Sequence, residues 1–311
     1  MAVENRECMM KPSTAIGQGL TAAWRNKWMV SIFFGCNLLM AAAVAAPMHD
    51  AIADHVGNSA VGQQLADGFS AAWLTEFTIV NNEFLKNFSL GVMYAGILFL
   101  ALNTLLAGGA FEVFSSGAGA GLHAFGRGMG KYFGRFARIA VIGSLLYFLA
   151  FWIFNGVPEK WIAAKLQSAN AAGPWMWLGL ARVALLVASV LVVNALLEYA
   201  RADMVTDEHA SAIAALLHAA GFFLSRFGRV MFIYLTLGLL TTATIAVYVV
   251  FARWMPQHSV ATIFIWFAVA QALLWIRWML RLASWGAAVA YYGSHARARD
   301  MAPTAAVAAE A

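Results

Sequence analysis

Long apolar stretches alternate along the chain with short polar ones. The apolar stretches run Trp28–Pro47, Ser89–Phe111, Ile139–Val157, Trp175–Leu197, Val230–Ala252 and Ala261–Leu280. Each is close to the ~20 residues that a helix needs to cross a hydrocarbon core about 30 Å thick. In lipid the backbone N–H and C=O groups find no water, so a spanning stretch of this kind satisfies them internally, as a helix. The pattern therefore predicts an all-α fold: a polytopic transmembrane helical bundle of six spans, with residues 1–295 as one membrane domain.

The polar connections also carry structure. In the long connection 48–88, Ile52, Val56, Leu65 and Phe69 recur at helical spacing, interrupted at Gly57-Asn58, and Trp73, Leu74, Phe77 and Val80 follow. This predicts short helices over one face of the bundle. The tail 296–311 is alanine-rich with few bulky residues, and it reads as disordered.

Three segments before the odd-numbered spans look alike. They are Gly19–Trp28, Gly121–Phe125 with Lys131–Arg135, and Leu217–Ala220 with Arg226–Arg229. Each places basic residues on an amphipathic stretch, which predicts an interfacial elbow helix leading into a span. Their spacing suggests one elbow-plus-hairpin unit used three times. In the third, Thr206 is the expected N-cap with Asp207 and Glu208 in the first turn, and Ile213, Leu216, Leu217, Ala220 and Phe223 form the apolar face.

Composition agrees with the pattern. The chain is 62% hydrophobic and 11% charged, with mean hydropathy +0.71, whereas soluble domains carry about 25% charged residues. No connection is long enough for a separate soluble catalytic domain of about 100 residues. The net charge of +5 and sequence pI near 9.4 would raise nucleic acid as a partner in a soluble protein. Here the charges serve orientation instead. Arg6, Lys11, Arg25, Lys27, Arg127, Lys131, Arg135, Arg138, Arg201, Arg226, Arg229, Arg297 and Arg299 fall on one side of the six-span scheme; Lys86, Lys160, Lys165 and Arg253 fall on the other. The positive-inside rule then makes both termini cytoplasmic. The first apolar run is too long for a cleaved signal and reads as a retained anchor. Cys8 in the tail and Cys36 in the first span read as free thiols.

The search for chemistry yields candidates and no catalytic constellation. HExxH, Gly-x-Ser-x-Gly, P-loop and Cys-x-x-Cys patterns are all absent. His49, Asp50, Asp54 and His55 are weak metal candidates, because imidazole and carboxylate one helical turn apart suit a divalent ion; the competing reading is a solvated helix face. Arg182 lies about 12 Å into the fourth span. It reads either as a snorkelling or structurally paired cation, with an outer-loop carboxylate as partner, or as an ion or substrate site. Asn37, Asn103, Asn194 and Gln271 are span residues that either bind helices together or line a cavity with Arg182. Glu112 and Glu198, at the ends of the second and fourth spans, are expected to pair with Arg135, Arg138 or Arg201. Arg277 and Arg281 are expected to snorkel to the headgroups. Lys131, Arg135 and Arg138 share a helix face that suits anionic lipid headgroups, or that simply orients the protein. No cofactor is indicated.

The segment Tyr132-Phe133-Gly134-Arg135-Phe136-Ala137-Arg138, with Tyr199–Val205 before the cytoplasmic helix, resembles a group of bacterial polytopic proteins. These are similar to the membrane domain accompanying some glycerophosphodiester phosphodiesterases. The resemblance implies a non-catalytic multi-pass module of the bacterial inner membrane. The catalytic domain of those fusions has no counterpart here. Two functions remain in view. One is a scaffold, assembly factor or accessory subunit, with membrane lipids and protein subunits as partners. The other is a small-solute transporter or channel, or a lipid-handling protein.

Overall fold

The computed structural model describes residues 10–57, 70–117, 120–156, 158–161, 173–208, 211–254 and 259–310; the side chains of 173–175 and 300–310 lie outside that description. Expectations that rest on Arg6, Cys8, Leu65, Phe69 and Lys165 fall outside the described residues.

The described chain is all helical. The helices are α1 (Pro12–Arg25), α2 (Lys27–Val56), α3 (Ala71–Val80), α4 (Asn82–Ser116), α5 (Leu122–Phe151, followed by a π-helical turn Trp152–Gly156), α6 (Gly173–Thr206), α7 (Ala212–Ser225), α8 (Phe227–Trp254) and α9 (Val260–Glu310). Six of them are long and apolar enough to cross a membrane, matching the six predicted stretches in order. The protein is a multi-pass membrane protein on that evidence.

Helix ends differ from the sequence expectation where local signals are weak. Helix α2 continues through Pro47 to Val56. One proline removes a single backbone donor, a loss that apolar spans tolerate. The tail from Ala296, expected to be disordered, continues α9 to Glu310; alanine, its most frequent residue, has the highest helix propensity.

Two of the three expected elbows are separate helices. Helix α1 ends at Asn26 (φ −106°, ψ 39°), whose side chain donates to the Ala22 carbonyl at 2.9 Å. Helix α7 ends at Arg226 (φ −132°, ψ 29°). One non-helical residue in each case redirects the chain into the following span. The same one-residue break joins α3 to α4 at Asn81 (φ −99°, ψ 28°), where no elbow was expected. The second expected elbow does not exist as such: helix α5 runs unbroken from Leu122 through the span. The threefold unit read from spacing is therefore not reproduced in the backbone.

The start of α7 also moves. Thr206 closes α6, and Ser211 caps α7, its Oγ accepting from the Ala214 N–H at 3.4 Å. The buried face is Ala212, Ala215, Ala219, Phe222 and Phe223, whereas Ile213 and Leu217 point outward, 65% and 67% exposed. The three alanines let α7 approach α6 closely, Phe222 and Phe223 fill the same face, and Ile213 and Leu217 are left facing outward.

Contact clustering divides the chain into two units. The first comprises 1–30 and 104–311, the second 31–103. In the first unit α9 packs on α1, α6 and α8, and α6 also packs on α5 and α7. Close crossings rest on glycine. A Cβ on Gly108 would lie 2.9 Å from the Gly128 carbonyl oxygen, and one on Gly128 would overlap the Glu112 side chain. In the second unit the aromatic rings of Trp73 and Phe77 stack at 5.2 Å, and His55 meets Phe77 edge-on at 5.3 Å.

Candidate functional site

Charge burial singles out one place in the first unit. Glu198 of α6 is 1% exposed. Its Oε1 lies 2.6 Å from Nη1 of Arg281, and its Oε2 accepts from the Ser284 hydroxyl at 2.8 Å; both partners belong to α9. An isolated carboxylate removed from water costs several kcal/mol, and only close pairing offsets this. Tyr234 of α8 lies close to Arg281. Four residues earlier on α6, the Asn194 carbonyl oxygen accepts from Tyr147 of α5 at 2.7 Å. Four helices thus meet at one polar junction near the C-terminal end of α6.

Arg201 follows Glu198 by three residues on α6, close to one helical turn. Its guanidinium sits 5.9 Å over the ring of Phe136. Among the described residues it makes no hydrogen bond and no ion pair, and its Nε is buried without a partner. The hydroxyls of Tyr199 and Tyr291, 2% and 0% exposed, are likewise buried with no partner among the described residues.

A second polar join lies one turn further along. The Tyr292 hydroxyl donates to buried Asp203, and Asp207 meets Arg299 at 3.3 Å. A hydrogen bond to a charged group contributes about 1.5–3 kcal/mol. Tyr292→Phe is accordingly expected to lower unfolding stability by about that amount, read by thermal denaturation in detergent. An unchanged midpoint would show that this bond does not hold α6 to α9.

The structure separates most of the sequence candidates. Arg182 faces Glu159 at 3.8 Å, and its Nε is buried with no hydrogen-bond partner among the described residues. It stands 12 residues, about 18 Å of helix, from Asn194, so the two do not share a site. Asn37 and Asn103 spend their amide donors on their own helices, at the carbonyls of Phe33 (2.6 Å) and Phe99 (2.9 Å). The Gln271 side-chain oxygen has no partner among the described residues.

The metal candidates do not converge. His49 meets Asp50 at 3.2 Å, whereas His55 turns to Trp73, Phe77 and Asn81, and no group of three ligand-type side chains forms among the described residues. Cys36 is a free thiol.

Two pairings are corrected. Glu112 binds Arg127 of α5 at 2.6 Å, not Arg135 or Arg138, because α5 crosses α4 at Gly128, one residue from Arg127. Glu198 binds Arg281, not Arg201. Arg281, expected to snorkel to the headgroups, is the partner of this buried carboxylate. Of the proposed headgroup face, Lys131 binds Glu208 at 2.7 Å, Arg135 reaches the Glu208 carbonyl at 3.4 Å, and Arg138 is exposed. The Lys131 ammonium holds the Glu208 carboxyl below the usual carboxylate range. A depressed carboxyl contributes its stability above its ordinary pKa and loses it as pH falls through the lowered one.

Sequence reasoning missed Arg281, Ser284, Tyr147 and Tyr234 as one cluster, although a signal was present. The second, fourth and sixth spans run in the same direction, and each predicted stretch ends just before Glu112, Glu198 and Arg281 respectively. Charges at equal positions on parallel spans lie at equal depth. No protein-family model matches the chain, no curated protein matches it, and no solved structure matches it.

Proposed function

We propose that this protein is a non-enzymatic scaffold, assembly factor or accessory subunit of a membrane complex. One observation carries the reading: polar side chains inside the spans are largely spent on holding the chain to itself. Asn194, Glu198, Arg182 and Glu112 bond to neighbouring segments, and Asn37 and Asn103 to their own helices. Such bonds bind helices together rather than line a path.

The outward faces are apolar, as a partner span or lipid would require. On α7 these are Ile213, Leu217 and Leu224. In this reading both termini are cytoplasmic, and α1 and α7 lie along the inner leaflet. The resemblance to non-catalytic bacterial inner-membrane modules agrees with it.

The test is native purification of the tagged protein in mild detergent, with mass spectrometry of what accompanies it. A partner protein at fixed stoichiometry, retained through a second affinity step, is the expected result. A lone particle in every detergent would overturn the reading. A second reading, handling of anionic lipid, is favoured by the exposed Arg138 on the basic face of α5.

A further inference from the structure

Helix α1 divides into two faces. Ala15, Gly19 and Ala23 recur every four residues and are buried, with Gly19 against α9 at Ala283 and Ala287. Thr14, Gln18, Thr21 and Arg25 recur at helical spacing beside them and are exposed. This exposed face is one wall of a cleft. The other wall is the end of α4 at Val113 and Phe114, and the volume is about 620 Å³. A Cβ on Gly286 of α9 would lie 3.3 Å from the Gly19 Cα and 3.6 Å from the Phe114 ring. Helices α1 and α4 therefore both rest on α9 at this glycine, with the cleft between them. Small-molecule sites are clefts of roughly 300–1,000 Å³, mostly apolar with a few placed polar groups.

The charge in the cleft has one sign. Arg25 is the one ionisable side chain among its described lining residues. Among the described residues neither Arg25 nor Gln18 has a side-chain hydrogen bond or ion pair. Helix α1 contains no acidic residue, and Glu112, which precedes Val113, is bound to Arg127 at 2.6 Å. The depth of the cleft follows from the chain. Asn26 alone separates α1 from the first long apolar helix. Tryptophan settles at the membrane–water interface, and Trp24, next to Arg25, is 59% exposed. The cleft thus opens where phospholipid headgroups lie.

We propose that this cleft holds the headgroup of one anionic phospholipid. The planar fork of Arg25 suits a phosphate, which accepts two parallel N–H bonds. Gln18 donates its amide to the remaining headgroup oxygens, and Phe114 covers the first methylenes of the acyl chains. The lipid is a resident part of the fold, seated between α1 and α4. No described residue of α5 lines the cleft, so the site is separate from the basic face of that helix and stands whether or not a protein partner is found.

The experiment uses the intact protein, delipidated in a neutral maltoside detergent. Phosphatidylglycerol or phosphatidylcholine is added, and native mass spectrometry counts the lipid retained per chain. Wild type is expected to retain phosphatidylglycerol in preference to phosphatidylcholine. Arg25→Gln is expected to weaken that retention roughly tenfold, as befits loss of a charged hydrogen-bonding group. Arg25→Lys should keep part of it, since it retains the charge and loses the fork. Gly17→Trp tests the cleft without touching its charge. Gly17 lines the cleft, and nothing lies within 4 Å of its Cβ position. The indole should therefore fill the space, displace the lipid and leave the delipidated unfolding midpoint unchanged. Arg253→Gln, at the far end of α8, removes an equal charge from an exposed position and should change nothing.

Three results would each overturn the proposal. The first is equal retention of the two lipids by wild type. The second is full retention of phosphatidylglycerol by Gly17→Trp, or a loss in Arg253→Gln as large as that in Arg25→Gln. The third is displacement of the lipid by sodium phosphate but not by sodium chloride at equal ionic strength, which would make the occupant a soluble anion.

Discussion

Arg281→Met is expected to destabilise the protein by about 3–5 kcal/mol, the loss seen when one partner of a buried ion pair is removed. The cost comes from Glu198 rather than from the lost attraction. At 1% exposed it has no route to water, and Ser284 alone cannot offset its charge. Arg201 does not rescue it, because it has no contact with either carboxylate oxygen. The pairing of Arg281→Met with Glu198→Gln should therefore recover most of the loss, since a neutral amide keeps the Ser284 bond and leaves no charge behind. Thermal unfolding of the two single variants and the double variant forms the cycle that measures this. If the double variant is as unstable as the sum of the single ones, the pair is not the cause.

Gly19→Leu is expected to be nearly as damaging, at about 3 kcal/mol, the upper part of the usual range for overpacking. Gly19 lies where α1 crosses α9. A Cβ there would overlap the Ala283 carbonyl oxygen and stand 2.7 Å from the Ala287 nitrogen. Both obstacles are backbone, which cannot rotate aside as a side chain can. Either α1 must lift away from α9 or the crossing must shift. Ala23, buried on the same face of α1, reports the outcome. As cysteine it should be shielded from a water-soluble thiol reagent in an otherwise wild-type chain and become labelled in the Gly19→Leu background. Continued protection together with an unchanged unfolding midpoint would show that the crossing tolerates the side chain. Gly17, two residues away with nothing near its Cβ position, is the control.

These two positions differ in how readable they were. Gly19 was visible only as one glycine in a basic amphipathic segment. That it faces Ala283 and Ala287 depends on which helix α1 meets, and no local signal contains that. Glu198 and Arg281 were individually conspicuous as charges at span ends, yet the nearest basic residue, Arg201, was the expected partner. On α6, residues 198 and 201 are three apart and share a face, but a helix on the same sheath of lipid offered a closer cation. Likewise the face expected for α7 is divided in the structure: Ile213 and Leu217 point outward as an interfacial helix requires, whereas Phe223 is buried. The buried face joins three alanines to Phe222 and Phe223, a division that depends on how α7 rotates against α6.

The sequence by itself determined the fold class, the number of long apolar helices and their approximate positions. The reason is that each follows from a one-dimensional quantity: a run of apolar residues must be helical where the backbone has no water to bond. It also exposed the polar residues inside those runs. Only the tertiary structure decided which of them meet. Pairing across helices depends on the direction, depth and rotation of each span, and these are set by close crossings such as Gly19 on Ala283 and Gly108 on Gly128. Those crossings bring Glu198 to Arg281 and Ser284, and Tyr147 to Asn194.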